Sequence, residues 1–355
     1  MSILSEVNKE FDIPAERHTL KWWHWILLVI LLAGTIYVIL ENNKKSTSYM
    51  TCSGYVFGTQ YHITYKSNTN LQKGIEQTLQ EVDNSLSPFN PQSIISAVNE
   101  NKPIKVDEMF KRVFMTAKEV SENTDGAFDI TVAPLVNAWG FGFKNKENIT
   151  DSLIASILIH VGFDKVSLSD NQVVKADTAI MLDCSAIAKG FGVDAVGEFL
   201  ESQSVSDYMV EIGGEVRLRG KNPKSQDWSI GINTPNEDEL GSNNEFQEIL
   251  QTTDISMATS GNYRNYYMEG EKRYAHTINP HTGYPAQQDI LSATVLAEEC
   301  MTADAYATSF MVLGLEATKK VLAKHPELKA YLICSDSKGE TFVWYSDQLK
   351  QMFRQ

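Results

Sequence analysis

The sequence predicts an α+β fold. Strand-like and helix-like stretches are both present, they do not alternate in the strict βαβ order of a parallel sheet, and no stretch recurs as a repeat. The 355 residues are 43% hydrophobic and 21% charged, enough for one or two domains with a sizeable core.

The first element is apolar. Residues 22–40, "WWHWILLVILLAGTIYVIL", would span roughly 28 Å as a helix, close to a bilayer core. Trp22, Trp23 and Trp25 at one end and Tyr37 near the other resemble interfacial anchors. A signal-peptide core or a buried helix is the bland reading. The preceding 21-residue tail is long for the charged region that opens a signal peptide, and no small-x-small cleavage site follows. The expectation is a tail (1–21), a transmembrane anchor (22–40), a linker (41–49) and one large domain (50–350). Lys9, Arg17 and Lys21 before the anchor outnumber Lys44 and Lys45 after it. That bias places the N-terminus inside and the large domain on the outer face of the inner membrane.

In the domain, "SGYVFGTQYHITYKS" alternates as a strand does. Residues 70–86 and 107–123 carry apolar side chains at helical spacing, with a further helix over 149–160. Strands are expected at 164–168, 172–175, 179–182, 208–212, 215–219 and 228–232. The stretch 236–247 is a polar surface loop. Strands near 254–259, 273–278 and 290–297 precede a helix over about 302–324, and strands at 328–334 and 340–345 close the chain.

A formal net charge of −14 argues against nucleic-acid backbones as partners. It leaves room for an anionic ligand held by backbone N–H groups or a divalent cation. The four cysteines, Cys52, Cys184, Cys300 and Cys334, form no CxxC pair, so neither a zinc site nor a disulfide framework is expected.

Five stretches are dense in Gly, Asp, Thr and Ser. In "TDGAFDITVAPLVNAWGFG" (124–142), Asp129 falls inside an apolar run and either holds a turn or faces a ligand. "LDCSAIAKGFGVD" (182–194) runs from Asp183 through small residues to Lys189 and a helix N-terminus, a setting that favours an anion. It lacks the spacing of a Walker loop. In "VEIGGEVRLRG" (210–220), Gly213 and Gly214 suggest a bulge or a close backbone approach. In "MTADAYATSF" (301–310), Asp304 and Thr308 are one helical turn apart. That spacing suits either a hard cation or a capping arrangement. The fifth, "MATSGNYRNYY" (257–267) with "RYAHTINPHTGYP" (273–285), holds His276 and His281. Together they suit a diphosphate held with Mg²⁺ better than a transition metal.

In order, "GTQYHITY", "SPFNPQSIISAVN", "DGAFDITVAPLVNAWGFG", "LDCSAIAKGFGVD", "IGGEVRLRG", "ATSGNYRNYY", "HTINPHTGYP" and "ADAYATS" resemble the ApbE family, the FAD:protein FMN transferases, over about residues 50–345. The resemblance implies transfer of FMN from FAD to a Thr or Ser hydroxyl of a target protein, with Mg²⁺ as cofactor and AMP released. It implies metal ligands at Ala186, Asp304, Ala307 and Thr308. It implies flavin contacts at Phe57, Phe89, Ala127, Phe128, Asp129, Asp183, Lys189, Gly213, Gly214, Thr277 and Ile278, with His276 both contacting the ligand and acting as catalytic base. On this reading His276 and His281 are no metal pair, and His281 is a structural loop residue. The implied partner is a flavoprotein subunit of a membrane redox complex, such as a sodium-pumping NADH:quinone reductase or an Rnf-type complex. The chain departs from the family pattern at Phe57 (commonly Met), at Ser185–Ala186 (commonly Gly-Gly), and at Asn279 and His281 (commonly Asp and Arg). The last pair leaves open how that loop holds its shape. An FAD diphosphatase using the same residues, and a membrane-tethered flavin binder without chemistry, are the alternative readings.

Overall fold

The computed structural model describes residues 21–42, 48–233, 246–261, 266–269 and 272–353. Its contacts divide the chain after Ser48. The first unit contains helix α1 (Trp22–Asn42), on which Trp22, Trp23, Trp25, the run from Ile26 to Leu32, and Ile36 are all exposed. Among the described residues no helix is long and apolar enough to cross a membrane. The span expected over 22–40 therefore does not enter the observed fold.

The second unit opens with β1 (Ser48–Val56) and β2 (Thr59–Ser67). Then come α2 (Gln72–Leu86), α3 (Ile94–Asn99), α4 (Glu108–Asn123), α5 (Ala133–Ala138) and α6 (Asp151–Leu158). The short pair β3 (Val166–Ser169) and β4 (Gln172–Lys175) precedes α7 (Ala188–Ser202). Strands β5 (Tyr208–Ile212), β6 (Glu215–Arg219), β7 (Trp228–Asn233), β8 (Phe246–Thr252), β9 (Ile255–Gly261), β10 (Tyr266–Glu269), β11 (Lys272–Ala275) and β12 (Ile290–Ala297) follow. Helices α8 (Cys300–Leu313) and α9 (Leu315–Lys324) and strands β13 (Lys329–Ser335) and β14 (Thr341–Tyr345) complete it.

Eight strands form one sheet in the order β1-β2-β5-β6-β9-β12-β13-β14, antiparallel from β2 to β14. Helices α7 and α8 lie on one face of it, and the β7–β8 hairpin covers Val216, Leu218, Met257 and Leu296 on the other. The α+β expectation holds. On α2, Ile75, Leu79, Val82 and Leu86 are buried, and on α4 Phe110, Val113, Phe114, Ala117 and Val120 are, each set at helical spacing. Each large side chain among these contributes about 1.5–3 kcal/mol by leaving water. Asp107 starts α4 by accepting the Phe110 N–H at 2.7 Å.

Four expectations need correcting. "SGYVFGTQYHITYKS" is a hairpin, not one strand, and turns at Phe57 (φ 51°) and Gly58 (φ 75°). The left-handed backbone at Phe57 carries none of the usual Asn-Gly signal. Gly213 (φ 62°) and Gly214 (φ 103°) form the two-residue turn between the paired Ile212 and Glu215, not a bulge. Residues 179–182 form no strand, although Asn99 satisfies that backbone as a neighbouring strand would. Its amide accepts the Leu182 N–H at 2.7 Å and donates to the Leu182 carbonyl at 2.8 Å. The helix expected over 302–324 is two helices, broken at Gly314 (φ 75°), where Asp289 accepts the Leu315 N–H. Helices α3 and α5 and strands β8 and β10 were not foreseen. Of the loop expected at 236–247, residues 236–245 lie outside the described residues and Phe246–Gln247 open β8.

All four cysteines are free and buried. Burial pushes the Cys52 and Cys334 thiols up to about 11, and Cys184 and Cys300 higher still. At pH 8 only about one Cys52 or Cys334 thiol in a thousand is thiolate. The native protein is expected to resist iodoacetamide at pH 8, with all four sites labelling only in denaturant. Peptide mass spectrometry checks this, and rapid labelling of any one of them under native conditions would contradict the burial.

Candidate active site

Helices α7 and α8 bring three of the Gly- and Asp-rich stretches together. Asp304 on α8 accepts the Gly190 N–H of α7 at 3.1 Å. Lys189, next to Gly190, is ion-paired with Glu215 at the start of β6. Asp304 and Glu215 are 3% and 2% exposed, and Glu215 Oε2 has no hydrogen-bond partner. Burial alone would lower Lys189, but the Glu215 and Asp304 carboxylates overcome it and push it up to about 12. Burial raises both carboxylates, against the pull of the single ammonium. The cluster thus sets two buried carboxyl groups against one partly exposed ammonium.

Thr308 lies one turn beyond Asp304, with its Oγ1 3.0 Å from the Ser260 hydroxyl at the end of β9. Ala307 is fully buried beside it, and Ala186 sits in the turn that leads into α7. Among the described residues no group of three or more His, Cys, Asp or Glu side chains is placed to hold a metal ion. The donors here are of another kind. One carboxylate, one hydroxyl and nearby backbone carbonyls, with negative charge in excess, fit a hard cation such as Mg²⁺.

The second half of the site is the loop after β11. Asn279 Oδ1 accepts the His281 and Thr282 N–H groups at 2.9 and 3.3 Å, and the Gly283 N–H returns to the Asn279 carbonyl at 2.8 Å. Trp139 Nε1 donates to the Gly283 carbonyl at 2.8 Å, and Ile278 pairs with Pro285. The loop therefore holds its shape with an Asn side chain and an indole, without the family's Asp and Arg. Gly126 (φ 79°) leaves room for His281, whose ring a Cβ there would meet at 3.1 Å. The rings of His276 and Phe141 make an edge contact at 6.4 Å. Thr277 and Ile278 are buried.

Ala127, Ala286 and Val312 meet in a small apolar cluster, so α8 abuts the histidine loop as well as α7. Asp183 donates its N–H to the Ile130 carbonyl at 2.7 Å and accepts from Ser185 N–H at 2.8 Å. Phe128 is committed to the core, and its N–H donates to the Thr124 hydroxyl at 3.3 Å. Asp129 accepts the Thr131 N–H and hydroxyl at 2.7 and 2.6 Å, the turn-holding role. Phe57 packs on α7, within 2.7 Å of where a Cβ on Gly192 would stand. Phe89, 62% exposed, makes an edge contact with Phe143 at 6.2 Å. Such an exposed aromatic pair offers a surface for a planar ring.

The ApbE family profile matches residues 57–332. A relative from Haemophilus influenzae, named FAD:protein FMN transferase, is 36% identical over 330 residues, covering 87% of this chain and 94% of its own. One of the same name from Vibrio cholerae is 37% identical over 297 residues, covering 81% and 88%. Among solved structures, the flavin transferase ApbE from Vibrio cholerae superposes with a TM-score of 0.77 at 34% identity, covering 86% of this chain and 99% of its own. The apo flavinyl transferase ApbE from Pseudomonas stutzeri gives 0.76 at 26% identity, covering 86% and 97%. Fold and relatives together define a flavin transferase. The chain belongs to the ApbE family.

Proposed function

We propose that the chain transfers FMN from FAD to a Thr or Ser hydroxyl of a target flavoprotein, with Mg²⁺ required and AMP released. The observation that carries this is the pair of buried carboxyl groups, Asp304 and Glu215, around the partly exposed Lys189 and beside Thr308, a setting that suits a hard cation and, through it, a diphosphate. Asp304 and Thr308, with the Ala186 and Ala307 carbonyls, would hold the cation. Bound there, Mg²⁺ supplies Lewis-acid charge that offsets the negative charge of a diphosphate and of the departing AMP. Lys189 adds a fixed positive charge, oriented by Glu215. The Phe89–Phe143 pair, Ala127, Gly213, Gly214, Thr277 and Ile278 line the approach for the flavin. His276 takes the proton of the attacking hydroxyl as general base.

A membrane anchor over 22–40, with the catalytic unit on the outer side of the inner membrane, is proposed from the sequence alone, from its apolar run and the Lys/Arg bias that flanks it. The target proposed is a subunit of a membrane redox complex of the sodium-pumping NADH:quinone reductase or Rnf type, the partner the family implies.

The test combines the full chain with FAD, Mg²⁺ and such a subunit. It reads flavin fluorescence in the target band on a denaturing gel alongside AMP. A fluorescent band with AMP establishes the transferase, whereas AMP and free FMN without a band would favour the diphosphatase. His276→Ala is expected to lower transfer by about 10²–10⁴-fold while FAD still binds. A rate within about threefold of the parent would remove His276 from the base role.

A further inference from the structure

Helices α7 and α8 both begin without a side-chain cap of their own, since the side chains of Ile187 and Glu299 at the two N-cap positions accept no N–H of the first turn. Each is capped by an aspartate of the other. Asp304 of α8 accepts the Gly190 N–H in the first turn of α7 at 3.1 Å. Asp194 of α7 accepts the Cys300 N–H at 2.9 Å and the Met301 N–H at 2.8 Å, the first two amides of α8. Asp194 is fully buried and is bound at 2.9 Å by Arg217, which also donates to Tyr208 at 3.1 Å and to Glu201 at 3.2 Å. Arg217 lies two residues from Glu215 on β6, so one strand backs both halves of the arrangement. Outside it, Arg112 bridges Glu198 on α7 and Glu299 at the head of α8.

We infer that Asp194 is a positioning residue for the reaction: by capping α8 from α7, it sets the register in which Asp304 and Thr308 face Lys189. The inference rests on the cation reading given above. A shift of α8 along its axis moves Asp304 and Thr308 together, one turn apart on one face. The residues of the far side of the cap fix that axis. A cation site built from one carboxylate, one hydroxyl and carbonyls is intolerant of such a shift, because Mg²⁺ demands near-octahedral oxygen geometry. Residues that orient ligands in this way typically change metal affinity by about 10–100-fold when removed.

The test titrates Mn²⁺ into the full chain without FAD and follows free Mn²⁺ by electron paramagnetic resonance. Four proteins are compared: parent, Asp194→Asn, Glu201→Gln and Asp304→Ala. Glu201→Gln weakens the Arg217 cluster without touching the α8 amides, so it controls for lost stability alone. Asp304→Ala is expected to abolish the tight site, and Asp194→Asn to weaken it at least about tenfold. Glu201→Gln is expected to match the parent even where its Tm falls. If Asp194→Asn does not fold, Asp194→Ser, whose hydroxyl can still cap one amide, is read in the same way. Equal Mn²⁺ affinity in the folded Asp194 variant and the parent overturns the inference. Parent and Asp304→Ala binding alike would instead show that Asp304 holds no cation, and both readings would fall.

Discussion

Asp304→Ala lowers Mg²⁺-dependent FMN transfer and AMP release by at least about a thousandfold, because it removes the only carboxylate in the proposed donor set. The fold is expected to tolerate the change. Lys189 keeps Glu215 as its partner, and the cluster goes from one excess negative charge to neutral. The Gly190 N–H loses its acceptor, worth about 1 kcal/mol at a helix terminus. Transfer measured across a Mg²⁺ titration, with FAD binding followed by flavin fluorescence, separates lost chemistry from lost substrate. Mg²⁺-dependent turnover within about tenfold of the parent would refute the assignment.

Gly190→Ala is expected to damage the fold by pushing two backbones apart. A Cβ at Gly190 would stand 2.5 Å from the Cys300 carbonyl oxygen, 2.7 Å from its carbon and 2.7 Å from Met301 Cα. These are backbone atoms at the head of α8, and no rotamer change relieves them. Either the helices separate or the first turn of α8 deforms. Overpacking of this kind costs about 3 kcal/mol, which lowers the Tm of a domain this large by roughly 5 °C. Activity should fall further than stability alone requires, because the Gly190 N–H and Asp304 separate with the helices. Scanning calorimetry reads the first effect and the FMN-transfer assay the second. A Tm within about 1 °C of the parent would mean that the helices can part freely.

The helices α2 and α4 were legible because one buried face at a period of 3.6 residues, and a capping Asp107 before α4, leave little else for those residues to do. The β1–β2 turn was not, since Phe57 adopts a backbone that its side chain does not announce. In the site, spacing put Asp304 and Thr308 on one helix face, but left both a cation and a capping role open, and the cation role came from the family resemblance. Glu215 and Arg217 were not legible. In "EVRLR" the charges at 215, 217 and 219 fall on one face of a strand, the pattern of a solvent face. That face is covered by α7, so Glu215 and Arg217 are buried, and Arg219 reaches Glu201 on the helix. Only the packing of a distant helix reveals that those charges work inside. Asp194 was hidden for a similar reason, because the two amides it caps lie over a hundred residues away in sequence. The Asn279 loop shows the reverse case. Exchanging the family's Asp for Asn removes a charge but keeps the side-chain oxygen that closes the turn.

The exchange of caps between α7 and α8 also bears on how the molecule breathes. A helix that owns its cap can fray from its end while the rest of the fold stays closed. Here fraying of either N-terminus strips the acceptor or the donors from the other, so the two ends open as one cooperative unit. In hydrogen exchange, the amides of Gly190, Cys300 and Met301 should open with a common free energy and respond alike to denaturant. Lys189 and Asp304, carried on those two ends, are then in place together or absent together. Partial loosening of this region would leave a mixture of fully competent and fully idle molecules, with no population of enzymes at half strength.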